Sequence, residues 1–202
     1  MELLFVRHAL PERVDGVEGD GPADPPLAPR GWEQARAVAG WLAGEKVDGI
    51  IAGPSRRARE TAQPLADRLG LDPLVDRDLA EFDVHASHYV PFEELKALGD
   101  ERWEAFARGD FYIPDVDPVA FRNRIVGRFE EIVGANPGKR LAVFTNAGVI
   151  CAYTGHILRQ PTPLWFGPAY TSITRVAAAR DGRRGVISLN ETGHVRDLLR
   201  LN

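Results

Sequence analysis

The sequence predicts an α/β fold: a single three-layer domain, with a mostly parallel sheet of about six strands, helices on both faces and a small helical cap insertion. Short apolar runs alternate with amphipathic helical stripes along most of the 202 residues. This alternation is typical of parallel sheets covered by helices. The length suits one domain, so we expect residues 1–202 to form a single unit, with residues 82–118 inserted as the cap.

Six strands are predicted from short runs of apolar residues. The first run, residues 3–6, holds no charged residue, as a strand buried on both faces requires. A turn predicted around Asp181 and Gly182 separates the last two runs. In chain order the predicted strands cover residues 3–6, 47–52, 74–75, 141–144, 173–178 and 186–189.

Helices are predicted where apolar residues recur at helical spacing. The first stripe, residues 35, 38, 39 and 42, follows i, i+3, i+4, i+7. In the second helix, Ser55 is a candidate N-cap, Gly70 a candidate residue just past the end, and Pro64 is expected to kink or interrupt the helix. Further helices are predicted over residues 92–98, 101–108, 117–134 and 148–158.

Composition excludes several classes of protein. The net charge of −4 argues against a broadly basic, nucleic-acid-binding surface, and no apolar run reaches the 18 residues of a membrane span. The single cysteine, Cys151, excludes an internal disulfide and a cysteine-based zinc site. The N-terminus does not look like a signal peptide. We therefore expect a cytoplasmic protein with no nucleic-acid or membrane partner, and the oligomeric state stays open.

Polar residues follow three of the predicted strands. Arg7 and His8 end the first strand, Arg57 lies shortly after the second, and Asn146 follows the fourth. Ligands bind at the carboxyl ends of strands in such sheets. Arginine forks and a helix N-terminus both suit a phosphate. These residue types alone leave ordinary surface ion pairs as an alternative.

Five segments, in order along the chain, resemble motifs of one family. They are Arg7-His8-Ala9, residues 26–35, residues 53–62, Leu79-Ala80-Glu81 and residues 190–195. The first four are similar to the Arg-His-Gly/Ala, Leu-Thr-x-x-Gly-x-x-Gln-Ala, Ser-Pro-Leu-x-Arg-Ala-x-x-Thr-Ala and Leu-x-Glu motifs of the histidine phosphatase superfamily, the phosphoglycerate-mutase-like proteins. The fifth resembles a C-terminal element common in that superfamily.

The resemblance implies a phosphate monoester hydrolase that works through phosphohistidine. His8 would be the nucleophile, and Arg7 and Arg57 would bind the phosphoryl oxygens. Glu81 would protonate the leaving oxygen and then help to activate water, although Asp83 lies close enough to compete for this role. The partner would be a small phosphorylated substrate or inorganic phosphate. No metal or other cofactor is expected, because the arginines supply the positive charge.

One position departs from the family pattern. The Ser/Thr-His-Gly-Gly segment after the fourth strand reads Thr-Asn-Ala-Gly here, so Asn146 replaces a second histidine. An amide can still donate to a phosphate oxygen, but hydrogen bonds from charged donors are roughly twice as strong. We therefore expect Asn146 to bind phosphate and to support reduced activity. The alternative is a pseudophosphatase that binds a phosphorylated ligand without hydrolysing it.

The remaining polar and aromatic residues have less specific interpretations. His85 and His88 are either exposed loop residues or a replacement for the missing charge in the pocket. The aromatic content of residues 82–118 predicts an apolar wall and a small, singly phosphorylated substrate, or simply packing of the cap. We expect Arg56 and Arg59 on a helix surface, buried packing for Cys151, and structural roles for His156 and His194. Trp165, Phe166 and Tyr170 fit either a substrate mouth or the core.

Overall fold

A six-stranded sheet of order β3-β2-β4-β1-β5-β6 organises the protein in this computed structural model, which describes residues 1–16, 21–108 and 116–199. Strands β1 to β4 pair in parallel, whereas β5 runs antiparallel to both β1 and β6. This confirms the mostly parallel six-stranded sheet. The strands are β1 (Glu2–Arg7), β2 (Gly49–Ala52), β3 (Leu74–Val75), β4 (Arg140–Thr145), β5 (Ile173–Ala178) and β6 (Arg184–Glu191).

Six α-helices and two short 3-10 helices, Arg77–Leu79 and Gly193–Leu198, lie in the described part of the chain. The predicted interruption at Pro64 is wrong, because α2 continues through it to Leu69. Buried residues on both sides of Pro64 pack against the sheet, and such packing outweighs one lost backbone hydrogen bond. The α-helices are α1 (Pro29–Leu42), α2 (Arg56–Leu69), α3 (Phe92–Leu98), α4 (Glu101–Arg108), α5 (Pro118–Ala135) and α6 (Ala147–Leu158).

The core has two halves, one on each face of the sheet. Because side chains alternate along a strand, Leu3 and Phe5 of β1 join the cluster formed with α5 and α6. Leu4 and Val6 join the opposite cluster, which contains the apolar stripes of α1 and α2. The predicted three layers, with helices on both faces, are thereby confirmed. None of the helices in the described ranges combines the length and the apolarity that crossing a membrane demands.

The described part of the segment 82–118 contains α3 and α4, as predicted, and packs on the loop that follows β1. Tyr89 forms an isolated antiparallel bridge with Val14. The Ala23 N–H donates to the Ala86 carbonyl at 2.7 Å. These contacts hold the segment beside the carboxyl edge of the sheet. Phe111 and Tyr112, which the sequence assigns to the aromatic wall of the cap, lie outside the described residues.

Gln34 connects the loop after β1 to the C-terminal 3-10 helix. Its Oε1 accepts the Leu10 N–H at 2.9 Å, and its Nε2 donates to the Leu198 carbonyl at 3.0 Å. Arg30, one turn earlier on α1, also donates to the Leu198 carbonyl. Gln34 is almost completely buried, so this polar side chain has a structural reason for lying inside the protein.

Candidate active site

Five predicted site residues line one cavity of about 220 Å³ at the carboxyl edge of the sheet. The order of the sheet explains their convergence, because β2, β4 and β1 are neighbours and end at the same edge. Each of the five has an exposed fraction of 6% or less, so the cavity floor is polar but shielded from water. The residues are Arg7, His8, Arg57, Glu81 and Asn146.

His8 is held with its imidazole in one tautomer. Its backbone N–H donates to the Thr145 carbonyl, and Nδ1 lies 2.8 Å from the Ala9 carbonyl oxygen. A carbonyl can only accept, so Nδ1 carries the proton and Nε2 carries the lone pair. Burial lowers the pKa of His8 well below its usual value, and Arg57 and Arg7 lower it further. His8 therefore has a neutral imidazole whose Nε2 lone pair is not used by the Ala9 carbonyl.

Thr61 ties the loop after His8 to α2. Its hydroxyl accepts the Ala9 N–H at 3.0 Å and donates to the Arg57 carbonyl at 2.6 Å. One buried side chain thus links the peptide that orients the imidazole to the helix turn that carries an arginine. Sequence reasoning did not single out Thr61, although it matches the threonine of the motif over residues 53–62.

Arg7 lies between an aromatic ring and a carboxylate. Its guanidinium carbon is 4.0 Å from the centre of the Tyr170 ring. Its Nη1 donates to Glu93 Oε1 of α3 and to the Pro168 carbonyl, both at 2.7 Å. Tyr170 is buried and does not line the cavity, so of its two predicted roles the core position is correct, and its ring supports the Arg7 guanidinium. No motif pointed to Glu93.

Arg57 has the same kind of environment. Its Nη2 lies 3.0 Å from both carboxylate oxygens of Asp83, and its guanidinium stands 4.6 Å from the centre of the Tyr89 ring. Arg57 reaches the cavity because it occupies the buried face of the first turn of α2. Both arginines are thus paired with carboxylates from the segment 82–118.

Three buried N–H donors at this site have no hydrogen-bond acceptor among the described residues. They are Arg7 Nε, Arg57 Nε and Asn146 Nδ2. Buried donors are almost always paired, so several unpaired ones around one cavity require an explanation. An anion with several acceptor oxygens would satisfy them, and a phosphate has that chemistry.

Glu81 is a carboxyl group that can hold a proton near neutral pH. Its Oε2 accepts the Gly148 N–H at 2.7 Å, and its Oε1 accepts the N–H of Phe82 at 3.0 Å. Burial and, to a smaller extent, the neighbouring charge of Asp83 together raise the pKa of Glu81 to about 7. Asp83 is held by Arg57 instead, so the geometry supports Glu81 as the acid.

A sequence profile of the histidine phosphatase superfamily (branch 1) matches residues 3–192. The chain belongs to this family. Its residues are 37% identical to a bifunctional protein of Mycobacterium tuberculosis over 105 residues, which is 50% of this chain and 29% of that protein. The chain thus spans less than a third of the length of that relative.

Two other similar proteins match over nearly their whole length. Phosphoserine phosphatase 1 of Hydrogenobacter thermophilus is 24% identical over 202 residues, covering 96% of this chain and 94% of that protein. A mutant phosphoserine phosphatase from Entamoeba histolytica, solved in complex with phosphoserine, superposes with a TM-score of 0.74 at 22% identity. That superposition covers 96% of this chain and 98% of the other, and it shows a shared fold.

Asn146, which the motif similarity predicts to replace a second histidine, lines the cavity. Its Oδ1 accepts a hydrogen bond from the Ser55 hydroxyl at 3.3 Å, which leaves Nδ2 as the donor without an acceptor. Ser55 occupies the N-cap of α2, as predicted, but makes no side-chain capping bond. His85 is exposed and does not line the cavity, whereas His88 is exposed and lies along its wall. Both histidines are therefore exposed loop residues, as one interpretation predicted, and of the two His88 also has the position along the cavity that the alternative interpretation requires.

The other predicted roles are mostly confirmed. Cys151 is buried, and burial raises the pKa of its thiol to about 12. Phe166 lines the cavity, and Trp165 packs on it with ring centres 4.5 Å apart.

Arg56 and Arg59 are exposed on α2, and His194 bonds to the Thr171 carbonyl, both as predicted. His156 is exposed on α6, so its predicted packing role is wrong. In the described ranges, no three His, Cys, Asp or Glu side chains gather where they could hold a metal ion.

Proposed function

We propose that this histidine phosphatase superfamily member is a metal-independent phosphate monoester hydrolase that acts through a phosphohistidine on His8. One observation carries the proposal: buried, unpaired donors of Arg7, Arg57 and Asn146 line the same cavity as a neutral imidazole. The donors suit phosphoryl oxygens, and the imidazole suits attack on phosphorus. The segment 82–118 would act as the cap that covers the bound substrate.

In the first step, the lone pair on His8 Nε2 forms a bond to phosphorus while the bond from phosphorus to the leaving oxygen breaks. Glu81 gives its proton to that oxygen, which departs as an alcohol. Arg7 and Arg57 stabilise the charge that develops on the three phosphoryl oxygens. The Nδ1–H bond to Ala9 keeps Nε2 available and steadies the imidazole as it becomes positively charged.

In the second step, water attacks the phosphohistidine. The carboxylate of Glu81 takes a proton from the water as its oxygen bonds to phosphorus, and the pair of electrons of the P–N bond returns to Nε2. Inorganic phosphate then leaves, with His8 neutral and Glu81 protonated again. A carboxyl with a pKa of about 7 can serve in both directions near neutral pH.

Phosphatase relatives support this assignment of chemistry. The Hydrogenobacter thermophilus and Entamoeba histolytica proteins are named as phosphoserine phosphatases, and the latter was solved with phosphoserine bound. A small, singly phosphorylated metabolite is the substrate class that we propose here. The cavity volume of about 220 Å³ suits a molecule of that size.

A binding-only protein is the second candidate. The observation that favours it is Asn146, since a neutral amide replaces a charged donor in the phosphate pocket. The same site would then hold a phosphorylated ligand without releasing its phosphate. Both candidates use Arg7, Arg57 and Asn146 for binding, so turnover separates them.

Hydrolysis of p-nitrophenyl phosphate by chelator-treated protein tests the proposal. We expect turnover by the wild type and by His156→Ala, a control that changes an exposed histidine on α6, and loss of turnover in His8→Ala. The chelator-treated wild type should still bind inorganic phosphate, as measured by calorimetry. Binding without any turnover would establish the second candidate, and activity that chelation removes would refute metal independence.

A further inference from the structure

Ser55 and Asn146 are the N-cap residues of α2 and α6, and within the described structure neither side chain caps its own helix. An N-cap serine or asparagine ordinarily accepts a backbone N–H from the first turn of the helix that it begins. Here the Ser55 hydroxyl donates to Asn146 Oδ1 at 3.3 Å instead. The side chains that begin these two helices are therefore paired with each other.

Carboxylates from other segments accept N–H groups at both helix starts. Asp24 Oδ1 accepts the N–H of Arg56, the first residue of α2, at 2.7 Å. Glu81 Oε2 accepts the N–H of Gly148, the second residue of α6, also at 2.7 Å. An acidic side chain satisfies a free N–H and suits the positive end of the helix dipole. The two N-cap side chains are thus released for another use.

The pair also joins two departures from the family motifs. Residues 53–62 resemble Ser-Pro-Leu-x-Arg-Ala-x-x-Thr-Ala, in which Ser55 takes the place of the leucine, and the motif similarity predicts that Asn146 replaces a histidine. A leucine has no hydroxyl to donate, and a histidine side chain has no amide oxygen to accept. The two departures are in direct contact, so the residue at one position suits the residue at the other.

An amide needs a fixed orientation to bind an anion. Half a turn about the last side-chain bond of Asn146 would exchange its donor end, Nδ2, with its acceptor end, Oδ1. Only Nδ2 can donate to a phosphate oxygen, whereas Oδ1 would repel it. Open space lies beside the amide, because Ser55 and Asn146 also line a second cavity of about 100 Å³. By donating to Oδ1, the Ser55 hydroxyl favours the orientation that leaves Nδ2 available.

We propose that Ser55 is a positioning residue for phosphate binding, which holds the Asn146 amide with Nδ2 toward the phosphate. The inference rests on the proposed function, because it requires a phosphate in the larger cavity. Ser55 is not among the described residues that line that cavity, so it acts through Asn146 and does not touch the phosphate.

Ser55→Ala tests the role, and Ser55→Thr is the variant that restores a hydroxyl. We expect Ser55→Ala to lower the affinity for inorganic phosphate, measured by calorimetry, and kcat/KM for p-nitrophenyl phosphate by about 3- to 10-fold, as for the loss of one neutral hydrogen bond. Ser55→Thr should retain most of both. Ser87→Ala is the matched control, because Ser87 is exposed and is not among the described residues that line either cavity.

A double-mutant cycle with Asn146→Ala separates positioning from a structural role. If the hydroxyl acts only through the amide, Ser55→Ala should lower phosphate affinity in the wild type but not in Asn146→Ala. A structural role at the start of α2 would instead lower the affinity by the same factor in both backgrounds.

Nitrogen-15 NMR reports on the amide directly. The side-chain amide signals of Asn146, assigned by their absence in Asn146→Ala, should shift when inorganic phosphate is added to the wild type. They should shift less in Ser55→Ala at the same phosphate occupancy. Wild-type signals that do not respond to bound phosphate would overturn the proposal even if Ser55→Ala does not fold.

The outcomes separate this inference from the proposed function. Equal phosphate affinities for the wild type and Ser55→Ala overturn the positioning role and leave the phosphatase standing. A loss of affinity that depends on Asn146, in a protein that shows no turnover, keeps the positioning role and refutes the phosphatase. A loss of the same size in the Asn146→Ala background assigns Ser55 to the structure of the helix and overturns the proposal.

Discussion

Gly148 and Glu81 are in such close contact that a single added carbon would separate them. The Gly148 N–H donates to Glu81 Oε2 at 2.7 Å, and a Cβ on Gly148 would lie only 2.2 Å from Glu81 Oε1. The same carbon would lie 2.6 Å from the Phe82 ring. A glycine in the first turn of α6 is therefore a condition for the proposed acid to reach the cavity.

Gly148→Ala should consequently damage catalysis more than helix formation. We expect kcat/KM to fall by about 100-fold or more, the contribution of a positioned general acid, and stability to fall by about 1–3 kcal/mol from overpacking. Gly127→Ala in α5 is the control, since its Cβ would meet nothing within 4 Å; that variant should gain up to about 1 kcal/mol. Urea unfolding and p-nitrophenyl phosphate kinetics measure both effects. Wild-type activity in Gly148→Ala would contradict the assignment of Glu81.

Glu81 should set the alkaline limb of the pH profile. Its pKa is raised to about 7, so the proton needed by the leaving oxygen is present below pH 7 and lost above it. We therefore expect kcat/KM to be highest on the acid side and to fall about tenfold per pH unit above 7. The pKa of His8 lies well below its usual value, so no loss from its protonation is expected between pH 6 and 7.

Glu81→Gln provides the control for that profile. An amide cannot deliver a proton, so the rate should fall by about 10²–10⁴-fold and the alkaline limb should disappear. An alkaline limb that stays at the same pH in Glu81→Gln would assign it to a different group, with Asp83 as the next to examine.

Asn146→His should increase turnover of an aryl phosphate. A charged imidazole in place of the amide would strengthen one hydrogen bond to phosphate by about 1–3 kcal/mol, which corresponds to a gain of roughly 5- to 150-fold. Asn146→Ala, which removes the donor, should instead lower the rate. No gain in a folded Asn146→His protein would show that the pocket has been rebuilt around the amide and its bond from Ser55.

Thr61→Val should make the orientation of the His8 imidazole less fixed. The change keeps the shape of the side chain but removes the acceptor of the buried Ala9 N–H, which should cost about 1–3 kcal/mol of folding stability. Because Ala9 orients the imidazole, kcat should fall more than KM rises. Thr61→Ser keeps the hydroxyl and should retain most of both properties. Equal kcat values for the valine variant and the wild type would show that Thr61 is structural only.

Phosphate should be found on Nε2 of His8. The Nδ1–H is committed to the Ala9 carbonyl, so only Nε2 has a lone pair for phosphorus. Acid-free quenching followed by mass spectrometry and phosphorus NMR should identify this isomer, and His8→Ala should lack it. Phosphate on Nδ1, or on another residue, would contradict the orientation of the ring.

Much of the site was predictable because its residues follow buried strands. Arg7 is the last residue of β1, His8 follows it directly, and Asn146 follows β4; a parallel sheet brings those ends together whatever lies between them. Motif similarity placed Arg57 and Glu81 in the same pocket, and the structure shows all five lining it. The motifs and the strand order indicate the same five residues, so these residues could be predicted without knowledge of side-chain contacts.

The residues that escaped prediction act through three-dimensional contacts. Glu93 lies 86 positions from Arg7, and no spacing rule connects an exposed helix of the segment 82–118 to a strand end. In the sequence, Thr61 looks like an ordinary small residue on the buried face of a helix, and only the structure shows its two hydrogen bonds. The interruption predicted at Pro64 was wrong for the same reason, since helix propensity is a local property and the packing that overrides it is not.

The hydrogen bonds of Gln34 couple the opening of the loop after β1 to the opening of the C-terminal 3-10 helix. The Leu10 amide, two residues beyond the nucleophile, and the Leu198 carbonyl are held by the same buried side chain. Detachment of residues 193–198 would remove one of the two bonds that fix the Gln34 amide and would thereby weaken its bond to the loop that follows His8. In hydrogen exchange, we expect the Leu10 amide to exchange at the rate at which the C-terminal turn detaches. The amides of the neighbouring strand β1 should exchange more slowly, because they are released only when the sheet unfolds.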